Sequence, residues 1–237
     1  MTRILAIHGI LTATTSVSWP ATFAAYMEAQ YPVDVEAHYY EATPCSPWNV
    51  LVKNPRIAKG IAARLAVEIG GSMDDIYIVA HSNGTHIGLL VAKYLAREHG
   101  LRVKVMVLIG SILHSDVDRS GLAALITDGW VGRAVAYVSR NDHAVRRLQS
   151  FPGFYGSLGA RGFECDGQPI GLRILGSQPL SDDDFRSRKY RYITRSYPAY
   201  GHSDYFEEPS RLDTYACVAR DFGISGFRDF GISGLRD

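Results

Sequence analysis

The stretch at residues 76–84, IYIVAHSNG, places a serine directly between two elements of regular secondary structure. Its first residues are apolar and predict a buried strand. The residues after Gly84, THIGLLVAKYLAREHG, have the pattern of a helix that ends at Gly100. Small residues, Ala80 and Gly84, stand two positions before and two positions after Ser82. We therefore expect Ser82 in a sharp turn from strand to helix.

A serine in this setting matches the nucleophile elbow, a turn so tight that only small side chains fit at the positions two before and two after it. Alanine replaces the commoner glycine at the first of these positions, and as the next smallest residue it should fit. Such a turn holds the hydroxyl of Ser82 above the edge of the sheet. The pattern therefore predicts that Ser82 is a catalytic nucleophile.

Length and composition favour a single domain, which we place at residues 1–221 of the 237-residue chain. The formal net charge is +1 with both signs mixed along the chain, so no basic or acidic block indicates nucleic acid or a charged partner. No apolar run approaches the ~20 residues of a membrane span, and the N-terminus has no convincing signal peptide. Cysteines stand at three scattered positions, which favours reduced thiols and a cytoplasmic location: Cys45, Cys165 and Cys217.

Strand and helix patterns alternate along the chain, which predicts a parallel sheet with helices on both faces. Strands are expected at residues 3–7, 33–39, 76–80, 103–109, 134–139 and 190–195. Helices are expected at residues 20–30, 56–69, 85–98, 122–130 and 209–221. The fold class is thus a doubly wound, mostly parallel α/β sheet of about six strands. Ligands of such sheets bind beyond the carboxyl ends of the strands.

Two regions interrupt this alternation. Residues 150–188 are rich in glycine and phenylalanine and have only weak element patterns. A loop of that length is usually functional or contains a small hairpin, and here we expect it to form a wall of a pocket. At the end of the chain, RDFGISGF is followed by RDFGISGL. Residues 222–237 are therefore expected to be a duplicated, poorly ordered tail.

An activated serine needs a base, and the base needs an acid that orients it. Asp142 follows the fifth predicted strand in the sequence YVSRNDHAV and is the predicted acid. The alternative role for Asp142 is to cap the helix that starts after it. If Asp142 only caps that helix, Asp116 and Asp118 after the fourth strand are the remaining candidates.

His202 is the predicted base, because it lies in a loop after the sixth strand, in the sequence YPAYGHSDYF. His143 is adjacent to Asp142, which makes it difficult for that carboxylate to orient its ring. His81 lies within the elbow and is expected to point away from the serine as a packing or supporting residue. His114 is a weaker alternative. The other histidines are interpreted as structural or surface residues: His8, His38, His86 and His99.

The oxyanion that forms during acyl transfer needs fixed N–H donors. The first predicted donor is the backbone N–H of Asn83, which follows the nucleophile at a helix N-terminus. The second is expected in the loop after the first strand, where the sequence is His8-Gly9-Ile10-Leu11. We assign it to the backbone N–H of Ile10, since Gly9 lets the backbone turn inward.

Apolar side chains that line the substrate site are the least defined part of the prediction. Several stand in loops or near strand ends, although such residues are as often ordinary core. The candidates are Leu11, Trp19, Trp48, Leu113, Phe154, Tyr155, Tyr200 and Tyr205.

The chain order Ser82, Asp142, His202, with His-Gly after the first strand, resembles the α/β-hydrolase family over roughly residues 1–221. The resemblance implies a Ser-His-Asp triad that transfers an acyl group from a small-molecule ester to water, without a metal or cofactor. The chain begins at what would be the third strand of the family. The short stretch between the fourth and fifth strands leaves no room for a large cap. In both respects the chain is similar to compact esterases and lipases, whereas residues 150–188 have no counterpart.

Other hydrolases use the same triad, so the sequence also allows a thioesterase, an amidase or peptidase, or a carbon–carbon bond hydrolase. Epoxide and haloalkane hydrolases are disfavoured, because they have a carboxylate where this chain has Ser82. A non-catalytic binding protein on this fold is a further alternative. It is disfavoured because all three triad residue types and both oxyanion positions are present. The sequence indicates no oligomeric state.

Overall fold

A sheet of seven parallel strands forms the centre of the computed structural model, which describes residues 2–10, 19–40, 46–70, 75–148, 155–179 and 190–224. The strands of this sheet are β1 (Thr2–Ile7), β2 (Val33–His38), β3 (Asp75–His81), β4 (Val103–Ile109), β5 (Val131–Val138), β8 (Leu172–Leu175) and β9 (Tyr192–Ser196). Two shorter strands, β6 (Glu164–Cys165) and β7 (Gln168–Pro169), form a separate antiparallel pair. The order across the large sheet is β2-β1-β3-β4-β5-β9-β8. Because β1 lies between β2 and β3, the sheet is built outward in both directions from β1.

Helices cover both faces of the sheet. They are α1 (Trp19–Gln30), α2 (Asn54–Ile69), α3 (Gly84–Tyr94), α4 (Val117–Ser120), α5 (Leu122–Thr127), α6 (His143–Leu148), α7 (Leu158–Arg161) and α8 (Ser210–Phe222). A π-helical turn precedes α2, another follows α3, and a 3₁₀ turn precedes α8: Asn49–Lys53, Leu95–His99 and Asp204–Phe206. Helices α2, α3 and α5 contribute to one apolar cluster, and α1 and α8 contribute to the other.

The alternation of side chains along the strands explains these two clusters. On β1, Leu5 and Ile7 belong to the cluster under α2 and α3, whereas Ile4 and Ala6 belong to the cluster under α1 and α8. All four are at most 1% exposed. A strand buried on both faces has a continuous apolar run, and this is the pattern from which β1, β3, β4 and β5 are predictable.

A buried ion pair fixes α8 against the sheet. Nε of Arg195 on β9 donates to Oδ2 of Asp221 on α8 at 2.7 Å, and the hydroxyl of Tyr137 on β5 donates to the same oxygen at 2.8 Å. Both charged side chains are at most 1% exposed, so each satisfies the other where water is excluded. The contact also orients the end of β9, after which the loop that contains His202 begins.

The segment 150–188 has more regular structure than its weak sequence patterns indicate, and it includes a short antiparallel pair such as a small hairpin forms. Within its described part it forms α7, the pair β6–β7 and the edge strand β8, which runs parallel to β9 with Leu172 opposite Ile193. With β8, the sheet has seven strands, which agrees with the predicted mostly parallel sheet of about six. Strand β8 is not predicted from the sequence because an edge strand lacks the continuous apolar run of a central strand. The side chains of β8 are all half-buried or exposed. The helix expected at residues 122–130 is also different: it ends at Thr127, and the separate turn α4 precedes it.

Some predicted features lie outside the described residues. They are Leu11, Cys45, Phe154 and residues 225–237 of the tail. Among the helices of the described part, none is both long enough and apolar enough to cross a membrane.

Candidate active site

Ser82 lies in the turn between β3 and α3, as predicted. Its φ of 54° is in the left-handed region, which is unfavourable for a residue with a side chain. The backbone N–H of Ser82 donates to the carbonyl of Ile109 at the end of β4, at 3.0 Å. A strained backbone that neighbouring strands hold in place is typical of an elbow that presents its side chain at the end of a sheet.

The loop after β1 packs directly against this turn. A Cβ atom on Gly84 would lie 2.3 Å from the carbonyl oxygen of His8, so only glycine fits there without a shift of backbone. A Cβ atom on Gly9 would lie 2.9 Å from the Cβ atom of Ser82. The loop that leads to Ile10 is therefore in contact with the residue proposed as the nucleophile, as its predicted role as an oxyanion donor requires.

Asp142 and His202 are in contact although they are 60 residues apart. Oδ2 of Asp142 lies 2.8 Å from Nδ1 of His202, and the Asp142 side chain is fully buried. The other oxygen, Oδ1, accepts the backbone N–H of Val145 at 2.9 Å. The two roles considered for Asp142 therefore coexist: one oxygen caps α6, and the other contacts the imidazole.

The backbone of the His202 loop is held on several sides. The hydroxyl of Ser139 donates to the carbonyl of Tyr200, and Oδ2 of Asp204 accepts the N–H of Gly201 at 2.6 Å. Nε2 of His81 lies 2.9 Å from the carbonyl of His202, and the two imidazole rings are 4.6 Å apart. His81 is therefore a supporting residue, in agreement with the sequence analysis, and it supports the candidate base itself.

Gly110 is a site residue that the sequence analysis missed. It follows β4 with a φ of 50°, and a Cβ atom there would lie 3.1 Å from Nδ1 of His202 and 3.2 Å from Oδ2 of Asp142. Any side chain at this position would press against both groups. The available signal was a glycine at the carboxyl end of a strand, in the sequence LIGS.

The side-chain oxygen of the candidate nucleophile takes no part in the hydrogen bonds of the candidate base and acid described above. Among the described residues, Ser82 Oγ has no hydrogen-bond partner, His202 included. In unliganded hydrolase sites this bond is often long and tightens only when substrate is bound. Of the two alternative acids, Asp116 is engaged elsewhere, because its carboxylate caps α4 by accepting the N–H groups of Asp118 and Arg119.

The predicted lining residues lie mainly in packed surroundings. Trp19 is buried and its ring is stacked 4.4 Å from Phe206. Tyr155 is 4% exposed, and its hydroxyl donates to the carbonyl of Ser46. The remaining described candidates are Leu113 in the core, Tyr200 and Tyr205 in ring contact with each other, and Trp48, which is exposed. Their role as substrate contacts stays a prediction.

Two histidines lie within and just after the elbow: His81 is buried and His86 is half-buried. The pKa of His81 is lowered well below its usual value, mainly by burial and to a smaller extent by the charge of His202. The pKa of His86 is lowered to about 4, mainly by burial and to a smaller extent by the charge of Lys93. His86 Nδ1 lies 3.0 Å from the amide nitrogen of Asn54, an arrangement that requires Nδ1 to be the unprotonated acceptor. Both histidines are therefore neutral in the folded protein at pH 7.

Histidines that the fold holds neutral make it sensitive to acid. Unfolded histidine titrates near pH 6.5, so between about pH 6.5 and 4 the unfolded chain binds a proton that folded His86 does not. The contribution of His86 to the free energy of unfolding is therefore fully present above pH 6.5 and falls as the pH is lowered toward 4. From pH 7 to 5 we expect the His86→Gln variant to lose about 2 kcal/mol less than the unsubstituted protein. Urea unfolding at both pH values measures this, and equal losses would contradict it.

Comparisons with known proteins agree with this architecture. No model of a known protein family and no curated protein sequence matches the chain. Among solved structures, esterase B from Lactobacillus rhamnosis, inhibited by a tributyrin phosphonate, matches with 15% identity and a TM-score of 0.51, over 94% of this chain and 75% of the esterase. An esterase from Pyrobaculum calidifontis matches with 13% identity and a TM-score of 0.53, over 95% of this chain and 77% of the esterase.

A protein from Bacillus cereus gives a TM-score of 0.54 at 11% identity. The match covers 94% of this chain, which spans only 59% of that protein. Together with the parallel seven-stranded sheet, these similarities define the architecture. The chain has the α/β-hydrolase fold.

Proposed function

We propose that the protein is a serine hydrolase that cleaves carboxylic esters through an acyl-enzyme intermediate. The observation that supports this best is the His202–Asp142 contact of 2.8 Å at the end of the sheet where Ser82 occupies a strained strand-to-helix turn. Acyl transfer needs a base oriented by a buried carboxylate and a serine held at the same end of the sheet. The fold is shared with esterases of known structure, which is compatible with this chemistry.

In the proposed mechanism, Ser82 Oγ attacks the ester carbonyl while Nε2 of His202 removes its proton. Asp142 accepts a hydrogen bond from Nδ1–H, holds the required tautomer and stabilises the imidazolium. The backbone N–H groups of Ile10 and Asn83 donate to the oxyanion. His202 then protonates the departing alcohol, and a water molecule that it activates hydrolyses the acyl-enzyme and restores Ser82.

The substrate in this proposal is a small-molecule ester, and the triad needs neither a metal nor an organic cofactor. A net charge of +1 gives no reason to expect a nucleic acid partner. A cytoplasmic location remains part of the proposal. Thioesters and amides are alternative substrates for the same triad. Enzymes that cleave them differ in the contacts that they make with the leaving group.

The proposal is tested by hydrolysis of p-nitrophenyl esters with acyl chains from two to sixteen carbons. We expect turnover that one equivalent of a fluorophosphonate abolishes, because the reagent phosphonylates an activated serine. The chain length with the highest kcat/KM distinguishes an esterase from a lipase. A folded protein that hydrolyses none of these esters but still reacts with the fluorophosphonate would favour thioester, amide or carbon–carbon substrates. A protein that also fails to react would favour a binding protein.

A further inference from the structure

A set of hydrogen-bonded polar side chains adjoins the elbow. Nδ2 of Asn54 donates to Oδ1 of Asn83 at 3.0 Å, and Nδ2 of Asn83 donates to Oδ1 of Asn54 at 3.1 Å. Asn83 also donates to the hydroxyl oxygen of Tyr40 at 2.8 Å, and Asn54 donates to Nδ1 of His86 at 3.0 Å. The two asparagines are 0% and 1% exposed.

The hydrogen bonds of this amide pair determine its geometry. Each amide nitrogen has two hydrogens, and both are used: one in the reciprocal pair and one toward Tyr40 or His86. Turning over either amide group would place nitrogen against nitrogen and oxygen against oxygen. The side chain of Asn83 therefore has one orientation, which Asn54 at the start of α2 determines.

The residue fixed in this way is the one that follows the candidate nucleophile. The backbone N–H of Asn83 belongs to the peptide unit between Ser82 and Asn83, which is planar, with its N–H pointing opposite to its carbonyl. That carbonyl, of Ser82, accepts the hydroxyl of Thr85 at 2.6 Å and the N–H of Thr85 at 3.0 Å. The hydroxyl of Thr85 in turn accepts the hydroxyl of Ser111 at 3.0 Å.

The Ser82–Asn83 peptide is thus held from two sides. Thr85 fixes its carbonyl end, and Asn54 fixes the side chain at its other end. A buried amide pair lowers the stability of the fold unless every polar group in it forms a hydrogen bond. Apolar residues of similar size would fill the same space without this requirement. The strained φ of Ser82 also requires surroundings that determine the backbone strongly. A role in orienting this peptide explains both features.

We propose that Asn54 and Thr85 are positioning residues that aim the backbone N–H of Asn83 at the oxyanion. The inference rests on the proposed function, because it assigns these residues to the oxyanion site of that hydrolase. Neither side chain is proposed to touch the substrate. Both act through one peptide unit, so both should affect the transition state, in which the negative charge develops, more than substrate binding.

The experiment compares Asn54→Ala and Thr85→Val with the unsubstituted protein in p-nitrophenyl acetate hydrolysis. Removal of an oxyanion donor lowers kcat by about 10²–10³-fold. A donor that is present but poorly oriented should therefore lower kcat less, by about 10–100-fold. KM should stay within about 3-fold, since ground-state binding does not need this N–H. The rate of phosphonylation by a fluorophosphonate should fall in parallel. Thr85→Ser retains the hydroxyl and should restore kcat to near the original value.

A stability control separates positioning from general loosening of the fold. Ile61 lies on α2 like Asn54, is 1% exposed and belongs to the apolar cluster. The Ile61→Ala variant should lose free energy of unfolding while its kcat stays within about 2-fold of the original, because Ile61 lies about two turns along α2 from Asn54 and outside the hydrogen-bonded set. If Asn54→Ala does not fold, the test rests on kcat of Thr85→Val compared with kcat of Thr85→Ser.

The possible failures are distinguishable. If the unsubstituted protein hydrolyses esters through Ser82 and the Asn54 and Thr85 variants keep kcat within 2-fold, the positioning role is wrong and the proposed function stands. A loss of kcat in Ile61→Ala as large as in Asn54→Ala would also overturn it. If the unsubstituted protein neither hydrolyses esters nor reacts with the fluorophosphonate, the proposed function is wrong and this inference fails with it.

Discussion

Replacing Ser82 by alanine is expected to lower kcat/KM for p-nitrophenyl esters by about 10⁴–10⁶-fold, because the nucleophile of the acyl-enzyme pathway is removed. The residual rate should resemble catalysis by oxyanion donors and substrate binding alone. Parallel assays of the purified variant and the original protein measure the loss. The variant should fold, since only one oxygen atom is deleted from a side chain that is 8% exposed.

Ser82→Gly is the matched control for this experiment. Glycine tolerates the φ of 54° that costs a residue with a Cβ atom free energy. We therefore expect Ser82→Gly to be as inactive as Ser82→Ala and at least as stable in urea unfolding. If either variant retained more than about a tenth of the original turnover, nucleophilic catalysis by Ser82 would be wrong.

Replacing Asp142 by asparagine should lower kcat by about 10⁴-fold with little loss of stability. Asparagine Oδ1 can still accept the N–H of Val145, which now bonds to Asp142 at 2.9 Å, so the cap of α6 survives. The amide nitrogen would then face Nδ1 of His202, where the carboxylate oxygen now lies at 2.8 Å. That contact favours the tautomer with hydrogen on Nε2, which cannot remove the proton of Ser82.

Asp142→Ala provides the comparison, because it removes both roles. It should be as inactive as the asparagine variant and less stable by about 1 kcal/mol, the usual cost of a lost helix cap. Steady-state kinetics and urea unfolding of the two variants measure these differences. Activity in Asp142→Asn within 10-fold of the original would mean that this carboxylate only caps α6.

Much of the fold and the triad candidates are predictable because the relevant patterns are local. The continuous apolar runs of β1, β3, β4 and β5 indicate buried parallel strands, and the small residues around Ser82 indicate a tight turn. The carboxyl ends of parallel strands meet at one edge of the sheet. Positions after β5 and β9 were therefore sufficient to nominate Asp142 and His202, which the structure brings into contact.

Features that depend on long-range packing were not predictable in the same way. Strand β8 is stabilised by pairing with β9 at the sheet edge, and its own sequence has no buried run. His86 was interpreted as an ordinary histidine because nothing in its neighbourhood along the chain shows that Asn54 faces it. The amide pair joins residues 29 positions apart, and no sequence period connects the start of α2 with the elbow.

Mapping the site of covalent labelling by a fluorophosphonate decides whether Ser82 is the nucleophile. The folded protein would be treated with the reagent, digested, and analysed by peptide mass spectrometry, with the unfolded protein and Ser82→Ala treated in parallel. We expect one adduct, on the peptide that contains Ser82, and none in either control. An adduct on a different serine, or ester hydrolysis at the full rate after complete labelling of Ser82, would contradict the proposed mechanism.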